Sequence, residues 1–447
     1  MPFWIEPASV GGSVKAPPSK SAMQRAMACA ALAAGNSVIL NPSFCDDARA
    51  AMAVAEVLGA RVQQHADRVE VAGMDVIRRM AGGGGTWKEA LAASCGEAGL
   101  CLRMYSAIAA LLPVPVELQA QGSLRGRPMD MVVESLKAFG VTCSAQGNLP
   151  PVRIHGPLRG GRGRVDGAKS SQFLTGLLIA LACAEGDSVV EVTNLASKGY
   201  VDLTLDIMRH FGAGIHRDDE LTRFSVTGNK GYQGREYFVE GDWSGAAFLL
   251  VAGATAGVQA GQPVTDPGLR SGLRVEGLSA RSSQPDRAIL EALVLAGARL
   301  GLDHNAIIIE KSPLRGFTFD ATDCPDLFPP LVALCLRCVG ESRILGVSRL
   351  RDKESDRAEA LITEFGKLGL VLKVDGDELV IPGVDNLPGG ALSGGVVSSR
   401  GDHRIAMAAA VAGLCASGRV GIEGEDCVAK SYPAFYEDLA SMKRQAV

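Results

Sequence analysis

The chain has 447 residues, of which 47% are hydrophobic and 21% are charged, a composition that excludes an intrinsically disordered protein. Its length suggests two or three domains. The formal net charge of −4 and the 5% of aromatic residues disfavour nucleic acid or an anionic membrane surface as the main partner. A basic binding site must therefore be a local patch in a near-neutral protein.

The apolar stretches and the cysteines predict a cytoplasmic protein without membrane spans. Residues 1–20 contain no basic segment followed by an apolar run, so we expect no secretory signal. The apolar stretches 246–257 and 405–416 are short, which predicts buried helices. Eleven cysteines, an odd number in mostly apolar surroundings, predict core thiols in a reducing compartment. Cys335 and Cys338 form a weak redox or zinc signal, because we expect both within one apolar helix.

The predicted elements form a repeat that occurs six times along the chain. In each repeat a β-run and a polar turn precede an Ala-rich helix, and a second β-run and polar turn precede a second helix. The first helices are predicted at 22–34, 100–112, 173–184, 246–255, 327–338 and 405–415. The β-runs after them are predicted at 37–40, 115–118, 188–192, 273–276, 342–345 and 420–423. The sixth repeat ends in a helix around 436–443.

Glycines after the second helices predict left-handed C-caps at Gly59, Gly140, Gly212, Gly297 and Gly369. A division near Glu240 gives two halves of three repeats each. We predict domain I as residues 1–19 with 241–447 and domain II as residues 20–240. We place the β-run at Gly12 at the start of the first repeat, although this strand could belong to either half.

Basic residues occur at the starts of helices in several repeats, and helix N-termini bind anions. They are Lys20, Arg25, Arg127, Lys353, Arg357, Arg404 and Lys430. Any one of them alone would be an ordinary surface charge. Their recurrence at equivalent points predicts one cleft that holds two phosphorylated anions. Without ligands we expect these cations to repel one another, so that the halves stand apart until the anions draw them together.

The sequence disfavours nucleotide hydrolysis, hydride transfer and zinc chemistry. The sequence contains no G-x-x-x-x-G-K-[ST] phosphate loop, no dinucleotide fingerprint and no metal-spaced carboxylate cluster. None of the six histidines pairs visibly with a Ser or Cys nucleophile. His403, between Asp402 and Arg404, is typical of a structural residue at a helix start.

Four motifs together resemble the 5-enolpyruvylshikimate-3-phosphate synthase family, and the similarity extends from Lys20 to Tyr436. They are Pro18-Ser-Lys20-Ser21-Ala-Met-Gln-Arg25, Ser170-Ser171-Gln172-Phe-Leu-Thr, Lys353-Glu354-Ser355-Asp356-Arg357 and Gly401-Asp-His-Arg404-Ile-Ala-Met. The resemblance implies an α/β fold of two domains, each of three βαβαββ units arranged as an inside-out α/β barrel, with ligands in the interdomain cleft. It also implies transfer of the enolpyruvyl group of phosphoenolpyruvate to the 5-hydroxyl of shikimate 3-phosphate by a cytoplasmic monomer. No metal or organic cofactor, no nucleic acid and no membrane is implied.

The resemblance also implies roles for individual residues. Those expected to hold shikimate 3-phosphate are Lys20, Ser21, Arg25, Ser170, Ser171, Gln172, Ser197, Tyr200, Asp326 and Lys353. Those expected to hold phosphoenolpyruvate are Lys20, Gly99, Arg127, Arg357, Arg404 and Lys430. Asp326 resembles the base toward the 5-hydroxyl, and Glu354, Lys353 and Lys20 complete the catalytic set. Enol ether transfer needs such an acid and base, although Asp326 could also be a helix N-cap.

The chain departs from the family pattern at three places. Glu97-Ala98-Gly99-Leu100 replaces a frequent Asn-Ala-Gly-Thr, Arg349 stands where Asn is common, and Lys198-Gly199 replaces Lys-Pro. We expect Glu97 to repel a phosphate unless a cation neutralises it. These changes affect site geometry rather than the reaction class.

Three rival functions can be weighed from the sequence. An enolpyruvyl transferase acting on UDP-N-acetylglucosamine carries a reactive Cys in a loop of its second repeat, and the loop 119–128 contains none. An RNA-end cyclase of similar fold is disfavoured by the net charge. A non-catalytic binding protein is disfavoured by the presence of Lys20, Asp326, Glu354 and Arg404.

Overall fold

The computed structural model describes residues 1–75, 90–168, 171–258, 272–351 and 353–444. The chain divides into two compact units. Unit A consists of Met1–Pro17 and Glu240–Val447, and unit B consists of Pro18–Val239. Both are α/β structures built from three repeats, as the sequence predicts.

In unit B the described residues form three four-stranded sheets, one for each repeat. The strand orders are Glu236–Phe238, Asn36–Leu40, Arg68–Ala72, Arg61–Gln64; Leu91–Ser94, Pro115–Gln119, Leu149–His155, Thr142–Gln146; and Arg162–Asp166, Ser188–Thr193, Arg223–Val226, Ile215–Arg217. The first two strands of each sheet are parallel and the rest are antiparallel. The helices are Lys20–Leu32, Asp46–Leu58, Gly99–Ala109, Asp130–Ala138, Gln172–Leu181 and Lys198–His210. A helix joins the parallel pair in the second and third repeats, as such a crossover requires, whereas the parallel pair of the first repeat is formed by strands far apart in the chain.

Unit A follows the same plan, and its described residues form two four-stranded sheets and one three-stranded sheet. The strand orders are Gly12–Lys15, Leu273–Glu276, Ala306–Glu310, Arg299–Asp303; Thr318–Asp320, Ser342–Leu345, Glu378–Ile381, Lys373–Asp375; and Gly395–Ser398, Val420–Glu423, Phe3–Ile5. Two short pairs are Ser9–Val10 with Lys443–Arg444 and Leu314–Arg315 with Cys338–Val339. The helices are Trp243–Ala256, Ile289–Leu295, Phe328–Cys335, Arg357–Gly366, His403–Gly413 and Phe435–Met442. Short 3-10 helices include Pro285–Ala288, Pro325–Leu327, Val347–Leu350 and Glu425–Lys430.

The assignment of the Gly12 strand to the first repeat is wrong. Gly12–Lys15 pairs in parallel with Leu273–Glu276 and so completes the fourth repeat in unit A. The outer strand of the first repeat is Glu236–Phe238, which pairs in parallel with Asn36–Leu40. Strand pairing is a long-range choice, so proximity along the chain did not reveal this exchange.

The first helix of each repeat is almost wholly buried. Every residue of Gly99–Ala109 is buried, and the buried residues of Gln172–Leu181 run from Phe173 to its end. A helix that is apolar on all sides belongs in a core. The two helices approach so closely that a Cβ on Gly176 would clash with the carbonyl oxygen of Met104. The polar groups of these helices are therefore concentrated at their N-termini.

Caps define the ends of the helices. Ser19, Asp242, Asp356 and Asp402 each accept a backbone N–H bond at a helix start through their side chains. The five glycines predicted after second helices all have positive φ, from 74° to 118°. The glycine prediction rests on local chemistry and is confirmed.

The Cys335–Cys338 pair does not lie within one helix. The helix Phe328–Cys335 ends at the first cysteine, and Cys338 begins the strand Cys338–Val339. Pairing of this strand with Leu314–Arg315 ends the helical run earlier than its apolar sequence predicts. None of the described helices is both long and apolar enough to cross a membrane.

Candidate active site

In unit B the first helix begins with a paired cation. Ser19 caps the helix through a bond from Ala22 N, so Lys20 is its first residue. The Lys20 Nζ atom lies 2.9 Å from Oδ2 of Asp47, which stands at the start of the next helix. Both side chains are mostly buried, with 15% and 11% exposed. The ammonium therefore has a fixed position at the site.

Arg25 is buried one turn further along the same helix. Its Nε donates to Thr204 Oγ1 at 2.9 Å, and its Nη1 donates to the carbonyl oxygen of Ser21 at 2.8 Å. Its Nη2 contacts Thr175 Oγ1 and the carbonyl oxygen of Tyr200, whose ring centroid is 5.6 Å away. Burial lowers the pKa of Arg25 to about 10. Among the described residues its contacts are with neutral groups, which leaves a buried positive charge for an anion to offset.

The second repeat brings two guanidinium groups to the start of its first helix. Gly99 is the first residue of that helix, and a Cβ placed on it would stand 2.9 Å from Nη1 of Arg127 and 3.5 Å from Nη1 of Arg103. Arg103 donates to Gln172 Oε1 at 2.8 Å. Arg127 follows the 3-10 helix Gly122–Gly126 and is 6% exposed. Gly99, Arg127 and Gln172, which the sequence predicted separately, thus lie together.

The carboxylate of Glu97, a residue expected to repel a phosphate, is hydrogen-bonded to Ser123. Its Oε2 accepts hydrogen bonds from the backbone N and the hydroxyl of Ser123, both at 2.8 Å. These bonds hold the carboxylate at the start of the 3-10 helix Gly122–Gly126, where the helix dipole favours a negative charge. The two Ser123 donors stabilise the negative charge of Glu97, so this charge does not depend on a neighbouring cation alone.

The remaining predicted residues of unit B lie at the starts of the helices in the third repeat. Ser171 is 3% exposed and precedes Gln172–Leu181. Ser197 precedes Lys198–His210 with a left-handed backbone, φ 57°. Tyr200 is half-buried in the first turn of that helix. Ser170 lies outside the described residues.

In unit A a dense ion cluster surrounds Asp326. Its Oδ1 accepts from Arg357 Nη1 at 2.9 Å, and its Oδ2 accepts from Arg404 Nη2 at 2.9 Å. Lys353 Nζ lies 3.6 Å from Oδ1. The Asp326 side chain is still 18% exposed. It makes no helix-capping bond, so the ion cluster rather than a cap explains its position.

Arg357 organises the carboxylates of this cluster. Its side chain is 0% exposed and donates from Nη2 to Glu354 Oε2 at 2.7 Å and from Nε to Asp402 Oδ2 at 2.9 Å. Asp402 also caps the helix that begins at His403 by accepting from Arg404 N. Burial works against the charge, but the carboxylates of Asp402, Glu354 and Asp326 raise the pKa of Arg357.

The same charges shift the other groups of the cluster. Burial alone would raise the pKa of Asp326, but Arg404, Lys353 and Arg357 hold it well below its usual range. Burial lowers the pKa of Lys353, although Asp326 acts in the opposite direction. Asp326 is therefore ionised in the free protein and is a weak base there.

The expectation that the cations repel one another in the free protein is wrong for four of them. Lys20 pairs with Asp47, Lys353 and Arg404 pair with Asp326, and Arg357 lies among three carboxylates. The pattern of basic residues at helix starts does not reveal the acidic residues beside them. In each unit, carboxylates therefore offset part of the positive charge before any anion arrives.

Two further predicted positions lie near this cluster. Lys430 ends the 3-10 helix Glu425–Lys430 and donates to the carbonyl oxygen of Gly401 at 2.8 Å. Arg349 lies in the 3-10 helix Val347–Leu350, where burial lowers its pKa while the charges of Asp323 and Asp326 oppose that shift. The departure at Arg349 thus adds a cation within electrostatic range of Asp326.

Sequence reasoning missed several residues that the structure places at these sites. Asp47 lies in a polar turn already noted, and Asp402 lies in a motif already quoted. Arg103 follows Gly99 by four positions, a spacing that puts both on one helix face. No group of three or more His, Cys, Asp or Glu side chains within the described ranges is arranged to hold a metal ion.

The comparisons with known proteins agree with one another. Residues 5–439 match the family model described as EPSP synthase (3-phosphoshikimate 1-carboxyvinyltransferase). The chain is 37% identical over 440 residues to a 3-phosphoshikimate 1-carboxyvinyltransferase of Clostridium perfringens, covering 98% of this chain and 97% of that protein. A relative of the same name from Clostridium kluyveri is 36% identical, covering 98% and 96%. A solved EPSP synthase from Acinetobacter baumannii is similar with a TM-score of 0.79 and 25% identity, covering 98% of each chain.

Proposed function

The chain belongs to the EPSP synthase family, and we propose from this membership and the site geometry which residues bind each substrate and which move protons. The enzyme transfers the enolpyruvyl group of phosphoenolpyruvate to the 5-hydroxyl of shikimate 3-phosphate and releases phosphate, a step of aromatic amino-acid biosynthesis. The reaction is an addition followed by an elimination. The hydroxyl oxygen adds to the central carbon of phosphoenolpyruvate as the methylene carbon gains a proton, and loss of phosphate and of a methyl proton restores the double bond.

The residues proposed for phosphoenolpyruvate are five basic side chains and one glycine at a helix start. They are Lys20, Gly99, Arg127, Arg357, Arg404 and Lys430. Gly99 contributes a backbone N–H and an open approach, because its lack of a Cβ leaves room beside Arg127. Arg357 donates the three hydrogen bonds described above and a longer fourth one from Nη2 to Asp402 Oδ1 at 3.4 Å, which leaves one of its five N–H groups for the substrate.

The residues proposed for shikimate 3-phosphate include the buried guanidinium of Arg25, which contacts Ser21 and Tyr200. They are Lys20, Ser21, Arg25, Ser170, Ser171, Gln172, Ser197 and Tyr200, with Asp326 and Lys353 directed at its hydroxyl groups. The hydroxyls supply neutral donors for phosphate oxygens, and the Arg25 guanidinium, bonded to the Ser21 and Tyr200 carbonyls, holds two of these residues in place. The positive charge of Arg25, whose described contacts are all with neutral groups, attracts the phosphate of shikimate 3-phosphate.

Proton transfer is assigned to Asp326, Lys353, Glu354 and Lys20. Asp326 takes the proton of the 5-hydroxyl. Glu354 and Lys353 donate or accept the protons transferred at the enol carbon and at the hydroxyl. In the free protein Asp326 is a poor base because three cations stabilise its ionised form. Phosphoenolpyruvate bound to Arg404 would offset part of the positive charge that holds the pKa of Asp326 low. Asp326 therefore becomes more basic only when the substrate is present.

The observation that carries the assignment is the Arg127 guanidinium beside the first backbone N–H of the Gly99 helix. We expect Arg127→Met to raise the KM for phosphoenolpyruvate at least about tenfold, the cost of one charge-assisted contact. Arg125→Met is the matched control, since Arg125 is exposed in the 3-10 helix that precedes Arg127. Equal KM values for the two variants would remove Arg127 from the substrate site.

We also propose that the enzyme acts as a monomer in the cytoplasm. Nine of its eleven thiols are buried in the two units, which is typical of proteins from a reducing compartment. Light scattering behind size-exclusion chromatography measures the mass directly. A mass near 46.5 kDa is expected, and a multiple of it would contradict the proposal.

A further inference from the structure

Glu364 is a buried carboxylate to which the proposed mechanism assigns no role. It is 1% exposed and lies in the last turn of the helix Arg357–Gly366. Its Oε2 accepts hydrogen bonds from Ser398 N at 2.8 Å and from Lys367 Nζ at 2.5 Å, and its Oε1 accepts one from Arg400 Nε at 2.7 Å. One carboxylate thus joins this helix to both the backbone and a side chain of a segment 34 to 36 positions further along the chain.

The negative charge of Glu364 is stabilised by these donors in spite of its burial. Burying a carboxylate is costly unless hydrogen bonds and opposite charges compensate it. Burial raises the pKa of Glu364, but the three hydrogen bonds outweigh burial and hold the pKa below its usual value. A carboxylate on the exposed side of the helix can also pair with Arg400, as Glu359 does at 3.5 Å. The buried position is therefore what brings a carboxylate to Ser398 N as well.

The segment that Glu364 holds has an unusual backbone. Arg400 and Gly401 both have left-handed conformations, with φ of 53° and 68°. A left-handed residue other than glycine is unfavourable and persists only where its surroundings fix it. Arg400 N donates to Ser398 Oγ at 3.1 Å, and Gly401 N donates to Ser399 Oγ at 3.2 Å. The bond from Arg400 Nε to Glu364 adds an anchor between the side chain of this residue and the helix.

The end of this segment contacts three residues proposed to hold phosphoenolpyruvate. The carbonyl oxygen of Gly401 accepts from Lys430 Nζ at 2.8 Å. Asp402 Oδ2 accepts from Arg357 Nε at 2.9 Å, and Asp402 Oδ1 accepts from Arg404 N at 2.9 Å. A change in the backbone just before Gly401 would therefore displace the groups that fix these three residues.

We propose that Glu364 is a positioning residue, which together with Arg400 holds the loop 398–402 in the conformation that places Arg404 and Lys430 for phosphoenolpyruvate. This inference rests on the proposed roles of Arg404 and Lys430 as contacts of that substrate. Glu364 acts only through the loop, because the three donors described above occupy its carboxylate. Loss of its bond to Arg400 should weaken phosphoenolpyruvate binding. Shikimate 3-phosphate should be affected much less, because most residues proposed for it lie in unit B.

Glu364→Gln tests the proposal, because the amide removes the negative charge and leaves only one oxygen to accept hydrogen bonds. Kinetic constants would be measured by phosphate release. The KM for phosphoenolpyruvate should rise about tenfold, while kcat and the KM for shikimate 3-phosphate should change by less than about twofold. Glu359→Gln is the matched control, since Glu359 lies in the same helix and also contacts Arg400, but its side chain is 58% exposed. Equal KM values for phosphoenolpyruvate in the two variants, or equal increases for both substrates in Glu364→Gln, would overturn the proposal.

Arg400→Gln removes the same bond from the loop side and provides a second test if Glu364→Gln fails to fold. Ser398 N and Lys367 still satisfy the Glu364 carboxylate in this variant. Its KM for phosphoenolpyruvate should also rise about tenfold. The double variant should exceed Glu364→Gln alone by less than about twofold, because both changes remove one contact. An unchanged KM in Arg400→Gln, or multiplied effects in the double variant, would overturn the proposal.

Two further variants separate failure of this proposal from failure of the substrate assignments. Arg404→Met and Lys430→Met should both raise the KM for phosphoenolpyruvate. Unchanged values in both would refute the contacts on which the proposal rests. Raised values in both, with an unchanged value in Glu364→Gln, would overturn only the role of Glu364.

Discussion

Arg404 Nη2 donates a 2.9 Å hydrogen bond to Oδ2 of Asp326. A residue proposed to hold phosphoenolpyruvate is therefore joined directly to the residue proposed to take the hydroxyl proton. An anion that binds Arg404 weakens its hold on Asp326 and raises the pKa of that carboxyl from its depressed value. In the proposed mechanism, substrate binding at Arg404 and activation of Asp326 as the base are therefore one electrostatic event.

Asp326→Ala should lower kcat by about 10²–10⁴-fold, the usual contribution of a general base. The affinities for both substrates should change far less, because Arg404, Lys353 and Arg357 remain to hold the anions and shikimate 3-phosphate loses only its contact with Asp326. Phosphate release gives kcat, and calorimetric titration gives the two affinities. Asp320→Ala is the control, since Asp320 is exposed and accepts from Thr322 N. Equal losses of turnover and affinity would show that Asp326 is a binding residue only.

Gly99→Ala should raise the KM for phosphoenolpyruvate about tenfold, equivalent to about 1.4 kcal/mol of binding. The added Cβ would stand 2.9 Å from Arg127 Nη1, so the guanidinium must move. The KM for shikimate 3-phosphate should change much less. Gly126→Ala is the matched control, because no heavy atom lies within 4 Å of its added Cβ. Similar KM values for the two glycine variants would mean that Arg127 does not need its present position.

Lys353→Arg should remove an alkaline decrease in kcat. Burial lowers the pKa of Lys353 from 10.5, so its ammonium is lost at a lower pH than that of an ordinary lysine. As the pH rises through this pKa, the proposed proton donor disappears and kcat falls. A guanidinium stays charged over the range but is a poor donor of protons, so the variant should be slow and independent of pH. The control Lys367→Arg changes an exposed lysine. A decrease at the same pH in Lys353→Arg would exclude Lys353 as its source.

Glu97→Ala should lower the thermal midpoint of unit B. The loss of two hydrogen bonds from Ser123 to a carboxylate costs about 1–3 kcal/mol, and each kcal/mol lowers Tm by about 2–4 °C in a domain of this size. Glu97→Gln retains an acceptor and should lose less. Glu56→Ala, at an exposed helix position, is the control. A Tm unchanged by Glu97→Ala would mean that Ser123 does not depend on this carboxylate.

Local chemistry made much of the fold predictable from the sequence. The left-handed glycines at Gly59, Gly140, Gly212, Gly297 and Gly369 depend on nearby residues only, and they marked the ends of second helices correctly. The strand Glu236–Phe238 could not be placed in the first repeat, because its pairing with Asn36–Leu40 joins residues about 200 positions apart.

The site was predictable to a different degree. The basic residues and Asp326 were identified from motifs, and their roles stay proposals. Their pairing was not foreseen, because the helix-start pattern gave no weight to Asp47 and Asp402, which lie 2.9 Å from Lys20 and Arg357 respectively. The burial of Arg25 beneath Ser21 and Tyr200 also depends on how three helices pack, which periodicity alone does not specify.

The most direct test of the whole account is phosphate release by the purified protein from phosphoenolpyruvate and shikimate 3-phosphate together. We expect stoichiometric phosphate and an enolpyruvyl ether product with both substrates, and none with either substrate alone. Asp326→Ala, assayed in parallel, should retain binding and lose nearly all of this release. Binding of both substrates without any release by the unmodified protein would contradict the account.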